Sequence, residues 1–189
     1  MASPVASNAS SPRRLLRRFR RSRKASAAVE FALVAPMFFA LLFAIIESGI
    51  MFLAGQVLES VNQDSARKIL TGQAQNSAWT KAQFANYVCP TSSGTPTLAM
   101  VLFNCSNLYI DVQSYSSFTS LSNVGCPIDG SGNFNSATQY NPGNAGDIVV
   151  VRMFYQWPLF VTRLGYNPAN LSNGNRLLCA TAAFKNEPY

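Results

Sequence analysis

The sequence predicts an α+β protein, a long N-terminal transmembrane and amphipathic helix packed on a small antiparallel β-sheet domain that is stapled by disulfides. Three observations predict it. Residues 24–53 read K-A-S-A-A-V-E-F-A-L-V-A-P-M-F-F-A-L-L-F-A-I-I-E-S-G-I-M-F-L, an apolar run of helical character. Three short β-like runs follow it, at 108–115, 147–157 and 177–184. All four cysteines, Cys89, Cys105, Cys126 and Cys179, lie beyond the apolar run. With 189 residues there is room for one modest domain besides a span.

Residues 1–12 are rich in Ser, Ala and Asn and carry no apolar period, the composition of a disordered segment. Eight of the fifteen basic residues then fall before Ser26: Arg13, Arg14, Arg17, Arg18, Arg20, Arg21, Arg23 and Lys24. The rest of the chain has seven basic and eight acidic residues, so the net charge of +7 belongs to this leader and not to a binding surface. Clustered arginine can neutralise nucleic-acid phosphate. Here a span follows at once, so the cluster is read by the positive-inside rule, with attraction to anionic membrane lipids and no nucleic acid as partner. The N-terminus is then cytoplasmic and the C-terminal domain lies outside.

Residues 31–53 satisfy the roughly 20 apolar residues that a bilayer core requires, with Glu47 as the one flaw. The run is too long for the apolar region of a secretory signal, and the small-residue triplet Ala25-Ser26-Ala27 precedes it, so it is read as a retained anchor. Glu30 at its head is costly to bury and belongs at the interface or beside a partner. Pro36 lies inside the span and predicts a kink. The helix continues outward to residue 71, with Ile50, Leu53, Val57, Val61, Ser65 and Ile69 read as its packed face. Glu59, Asp64, Arg67 and Lys68 are its exposed side, and Gly72 its stop.

Residues 74–77 read as a polar break, and 78–88 as a second helix burying Trp79, Phe84 and Tyr87. The three strands come next, separated by the turn sequences D-G-S-G at 129–132, N-P-G-N at 141–144 and N-G-N at 173–175. Their core is small, which suits a disulfide-stapled domain on the oxidising side of a membrane. Four cysteines allow three pairings, and ease of nearest-neighbour loop closure favours Cys89–Cys105 with Cys126–Cys179. There is no histidine and no C-x-x-C, which argues against a zinc site and excludes histidine-activated nucleophiles. The outer acids Asp111, Asp129, Asp147 and Glu187 form no obvious dyad, and no phosphate-binding glycine pattern is present. The expectation is a protein that is not an enzyme and needs no cofactor or metal.

Residues 23–31, R-K-A-S-A-A-V-E-F, resemble the cleavage region of prepilins, with a cut between Ala25 and Ser26 that makes Glu30 fifth and Phe31 sixth in the mature chain. Ala25 stands where glycine is usual. Within that class V-E-F-A-L-V-A-P, residues 29–36, resembles the TadE-like minor pseudopilins of the tight adherence (Tad/Flp, type IVc) pilus system. Segments 111–118, 149–159 and 180–189 look similar to that family too. The resemblance implies a pilin-like fold divided into a cleaved basic leader (1–25), an extended N-terminal helix (26–73) and a periplasmic α+β domain (74–189). It also implies a minor pilin, held in the bacterial inner membrane, that initiates or caps a Flp-type adhesive pilus. The implied partners are a prepilin peptidase, a TadF-like pseudopilin, the major Flp pilin and the inner-membrane assembly platform. Glu30 would neutralise the new amine of Ser26, in its own chain or a neighbour's, and a kink at Pro36 would help the helix leave the bilayer. The alternative is an uncleaved single-pass anchored binding module or adhesin that keeps Met1.

Overall fold

The computed structural model describes residues 23–90, 101–121, 124–162 and 166–189. The leader and its arginine cluster as far as Arg21 lie outside the described residues. Helix α1, Arg23–Leu70, has 48 residues and continues through Pro36, whose missing N–H removes the donor that Ala32 would receive. Arg67 and Lys68 occupy its last turn, where positive charge complements the helix dipole. Gly72 follows in the left-handed conformation, φ 72°, and donates its N–H to Ile69 O.

Residues 74–77, expected as a break, instead continue a single helical turn, α2, Gln73–Asn76. The left-handed Gly72 restarts the chain there and lets Ala74 reach the core. Helix α3, Lys81–Val88, starts later than position 78. Ala78 has positive φ, and Thr80 is the N-cap in a reciprocal capping box with Gln83. Of the three aromatics expected to be buried, only Phe84 is fully so; Tyr87 is exposed, stacked on Trp79 and lying under Lys68.

The chain divides into two compact units between Ile45 and Ile46. The second unit contains the later half of α1 and an antiparallel sheet in the order β1-β2-β3, with β1 Leu108–Tyr115, β2 Ile148–Trp157 and β3 Arg176–Lys185. Register pairs Asp111 with Arg152 and Arg152 with Thr181, so strand alternation sorts the side chains cleanly. On one face Ile110, Val112, Val149, Val151, Met153, Tyr155, Leu178 and Ala180 form the main core with α1. On the other Phe154 and Leu177 join Leu171, Phe134 and Tyr109 in a smaller cluster. Because both faces of β2 are covered, it reads as a nearly unbroken apolar run. Segment 139–141 pairs along the outer edge of β1, through Val112 N to Gln139 O and Asn141 N to Val112 O.

The packed face of α1 includes the expected Val57, Ser65 and Ile69, with Val61 partly buried beside them, but not Ile50 and Leu53. Ala54, Val57, Leu58, Asn62, Ser65, Ala66 and Ile69 are buried, whereas Ile50 and Leu53 are 44% and 53% exposed. Small residues face the sheet and let the helix lie close to it. The larger apolar residues Ile50 and Leu53 face outward. Two disulfides, Cys89–Cys105 and Cys126–Cys179, are the nearest-neighbour pairs, with Cα separations of 5.6 and 6.0 Å. The first ties the end of α3 to the approach to β1, and the second pins the 125–137 segment over the outer face of β3.

Candidate functional site

Ala25, Ser26, Glu30, Phe31 and Pro36 all lie within α1. From Ala27 onward this helix is long and apolar enough to cross a membrane, and its most apolar window is unburied. Val29, Phe31, Leu33, Met37, Phe43 and Ile45 are all more than half exposed and, at about 100° per residue, fall on all sides of the helix. Apolar surface all round a helix calls for hydrocarbon or other helices around it. Glu30 is exposed on the first described turns. Four residues along an α-helix advance about 6 Å, so its carboxylate comes within reach of the backbone nitrogen of Ser26.

The family described as TadE-like protein matches residues 25–67. This segment is TadE-like. The match associates the chain with the Tad pilus system, and it spans the stretch in which Ala25, Ser26, Glu30 and Phe31 stand. It ends at residue 67, so segments 111–118, 149–159 and 180–189 lie beyond it. No curated protein and no solved structure matches the chain.

At the start of the second unit the TadE-like helix carries a feature that the hydropathy pattern showed only as a flaw. Glu47 is 7% exposed, and its carboxylate accepts the backbone N–H groups of Phe160 and Val161. Its neighbour Ser48 hydrogen-bonds Tyr166, Oγ to Oη, at 2.6 Å. The helix therefore grips the segment after β2 at two consecutive residues. At the opposite end of the sheet the C-terminal residues close over the helix terminus. Glu187 N donates to Leu70 O, and the Tyr189 ring lies against Gly72. About 36 Å of helix between Glu47 and Leu70 is thus matched to about 33 Å of ten-residue strand.

The sheet's outer face holds a polar network. Asp111, 1% exposed, accepts from Arg152 Nη2 at 2.7 Å and Nε at 3.1 Å, from Gln113 Nε2 at 2.9 Å and from Gln139 N at 2.7 Å. Tyr115 Oη donates to Gln113 Oε1, and Arg152 Nη1 donates to Gly125 O. A cleft of about 480 Å³ opens beside this network, between Arg152 and Gln113 on the sheet and the segment 125–137. Asp129, on its rim, is held below the usual carboxyl range by the backbone N–H and side-chain amide of Asn133. Asp147 accepts from Asn144 N. Each of these three acids therefore has a bond that shapes the domain, and among the described residues no group of three or more His, Cys, Asp or Glu converges.

Proposed function

We propose that this chain is a minor pilin-like subunit of a Tad pilus, matured by a prepilin peptidase between Ala25 and Ser26. The observation that supports it is the TadE-like segment, in which Glu30 and Phe31 stand fifth and sixth after Ser26 on a helix with unburied apolar surface on all sides. Before assembly that surface is solvated by the bacterial inner membrane, with the arginines cytoplasmic and the disulfide-bonded domain periplasmic. In a filament it packs against the helices of a TadF-like pseudopilin and the major Flp pilin, delivered through the assembly platform. The role is one of initiation or tip formation, not catalysis. Glu30 then neutralises the amine of Ser26 or of a neighbouring subunit. In apolar surroundings a misaligned subunit would leave one charge unpaired, so the pair sets register.

The test is the N-terminal sequence of the protein from native membranes. A chain beginning at Ser26 supports the reading. An intact Met1 overturns it in favour of an uncleaved anchored module or adhesin. Glu30→Ala should leave cleavage intact and abolish recovery of the protein with sheared pili.

A further inference from the structure

Phe160 is 82% exposed in a segment, 158–161, whose sequence is Pro-Leu-Phe-Val. It follows the β2 end from which α1 enters the second unit, and it is held there. The Glu47 carboxylate takes the N–H groups of Phe160 and Val161, and Ser48 takes Tyr166. Around the same end of the unit the helix leaves Ile46, Ile50, Phe52 and Leu53 between 44% and 70% exposed. A soluble domain with a lone exposed Phe needs no explanation. A Phe aimed outward by two hydrogen bonds to one buried carboxylate, at the apolar end of a domain, does.

The helix length supplies the reason. Glu30 and Glu47 are 17 residues apart, and 17 helical steps advance about 26 Å. The hydrocarbon core of a bilayer is about 30 Å thick. With Glu30 at one boundary, Glu47 falls inside the other, and the boundary itself lies near Ile50. A carboxylate at that depth requires hydrogen-bond partners that travel with it. Segment 158–161 provides them from its own backbone, and in doing so presents Phe160 at the same depth while Leu159 packs on the core.

We propose that segment 158–161 is a membrane-inserting tip, with Phe160 in the acyl boundary of the leaflet nearest the sheet domain and Glu47 as the latch that holds it there. The partner is the lipid bilayer. The inference rests on α1 spanning a membrane and is separate from the question of processing.

The test is photocrosslinking of the full chain in vesicles of phosphatidylethanolamine and phosphatidylglycerol. A benzophenone amino acid is placed singly at Phe39, Phe118 or Phe160. Phe39 reports the span, and Phe118 is an exposed residue just beyond the far end of β1. Lipid adducts at 39 and 160 but not at 118 are expected. An adduct at 39 with none at 160 overturns the tip and leaves the span intact, whereas none at 39 removes the anchor on which the inference stands. A crosslink from 160 to a second protein chain in place of lipid also overturns it. Glu47→Ala in the Phe160 probe removes two hydrogen bonds and should lower the lipid adduct more than about tenfold, since loss of even one hydrogen bond to a charged group brings about that population change. An unchanged yield would sink the latch. Glu47→Gln keeps an acceptor oxygen and should recover part of the yield.

Discussion

Asp111→Ala is the perturbation whose cost the structure defines most closely. The carboxylate is 1% exposed and satisfies two Arg152 nitrogens, the Gln113 amide and the Gln139 N–H at once. Arg152 is itself 11% exposed at its side chain, donates also to the Gly125 carbonyl and lies over the face of Phe154. Truncating one member of a buried ion pair costs about 3–5 kcal/mol, because the other charge is left uncompensated. A domain of this size moves its melting temperature by about 2–4 °C per kcal/mol, so the expected fall is about 6–20 °C. Near-UV circular dichroism of the full chain in detergent, with buried Trp157 as a reporter, gives the melting curve. The paired replacement Asp111→Leu with Arg152→Met removes both charges and should sit within about 2 kcal/mol of the unmodified protein. A loss below about 1 kcal/mol for Asp111→Ala would refute the reasoning. A double variant as damaged as the sum of the singles would also refute it, since it would mean that the two side chains act independently.

Gly72→Ala meets both a left-handed backbone and the Tyr189 ring 2.3 Å from the new Cβ, so it should destabilise by about 1–3 kcal/mol in a urea titration; Tyr189→Ala should relieve the collision but not the backbone strain. Removing Cys126–Cys179, which closes a 53-residue separation, should cost about 4 kcal/mol, against about 3 kcal/mol for Cys89–Cys105 at 16 residues, measured by denaturation of paired Cys→Ser variants. Asn62→Leu deletes a buried Oδ1 that has no partner among the described residues together with the Nδ2 bond to Val151 O, so the two effects offset and the melting temperature should move by less than about 4 °C. Asp129 has its carboxyl lowered by the Asn133 hydrogen bonds, so their support for the 129–133 turn is present above the ordinary aspartate range and is lost as pH falls through the folded value. A two-dimensional NMR titration should show the Asn133 amide shifting at lower pH than an unperturbed aspartate would dictate.

The α+β architecture was legible because its signals are local. β2 carries an unbroken apolar run and β1 alternates, and the turns between the strands hold their glycines and asparagines where the chain reverses. Boundaries shifted where a single backbone angle decided the matter. Gly72 in the left-handed region made a helical turn of what read as a break, and the positive φ of Ala78 delayed α3 to the Thr80 cap. The packed face of α1 was read correctly at Val57, Ser65 and Ile69 and wrongly at its start, because helical spacing was counted there on the large apolar residues Ile50 and Leu53 and passed over Ala54, Leu58 and Ala66. The residues around Ala25 and Glu30 were found through resemblance to a processed segment. No physical period in the sequence marks a protease site.

Glu47 shows why an interruption in an apolar run carries information that the run does not. Read by composition, it is a defect in a span that is otherwise long enough. Read with its partners, it is a buried acceptor that ties the helix to the segment after β2. Its carboxylate meets backbone N–H groups from a segment 113 residues later, a contact that no helical or strand period can anticipate. The contact has a cost that is repaid only if both ends are ordered together, since ionic acceptors in apolar surroundings are tolerated when their hydrogen bonds are filled. From Glu47 onward the side chains of α1 begin to find their partners in the sheet domain.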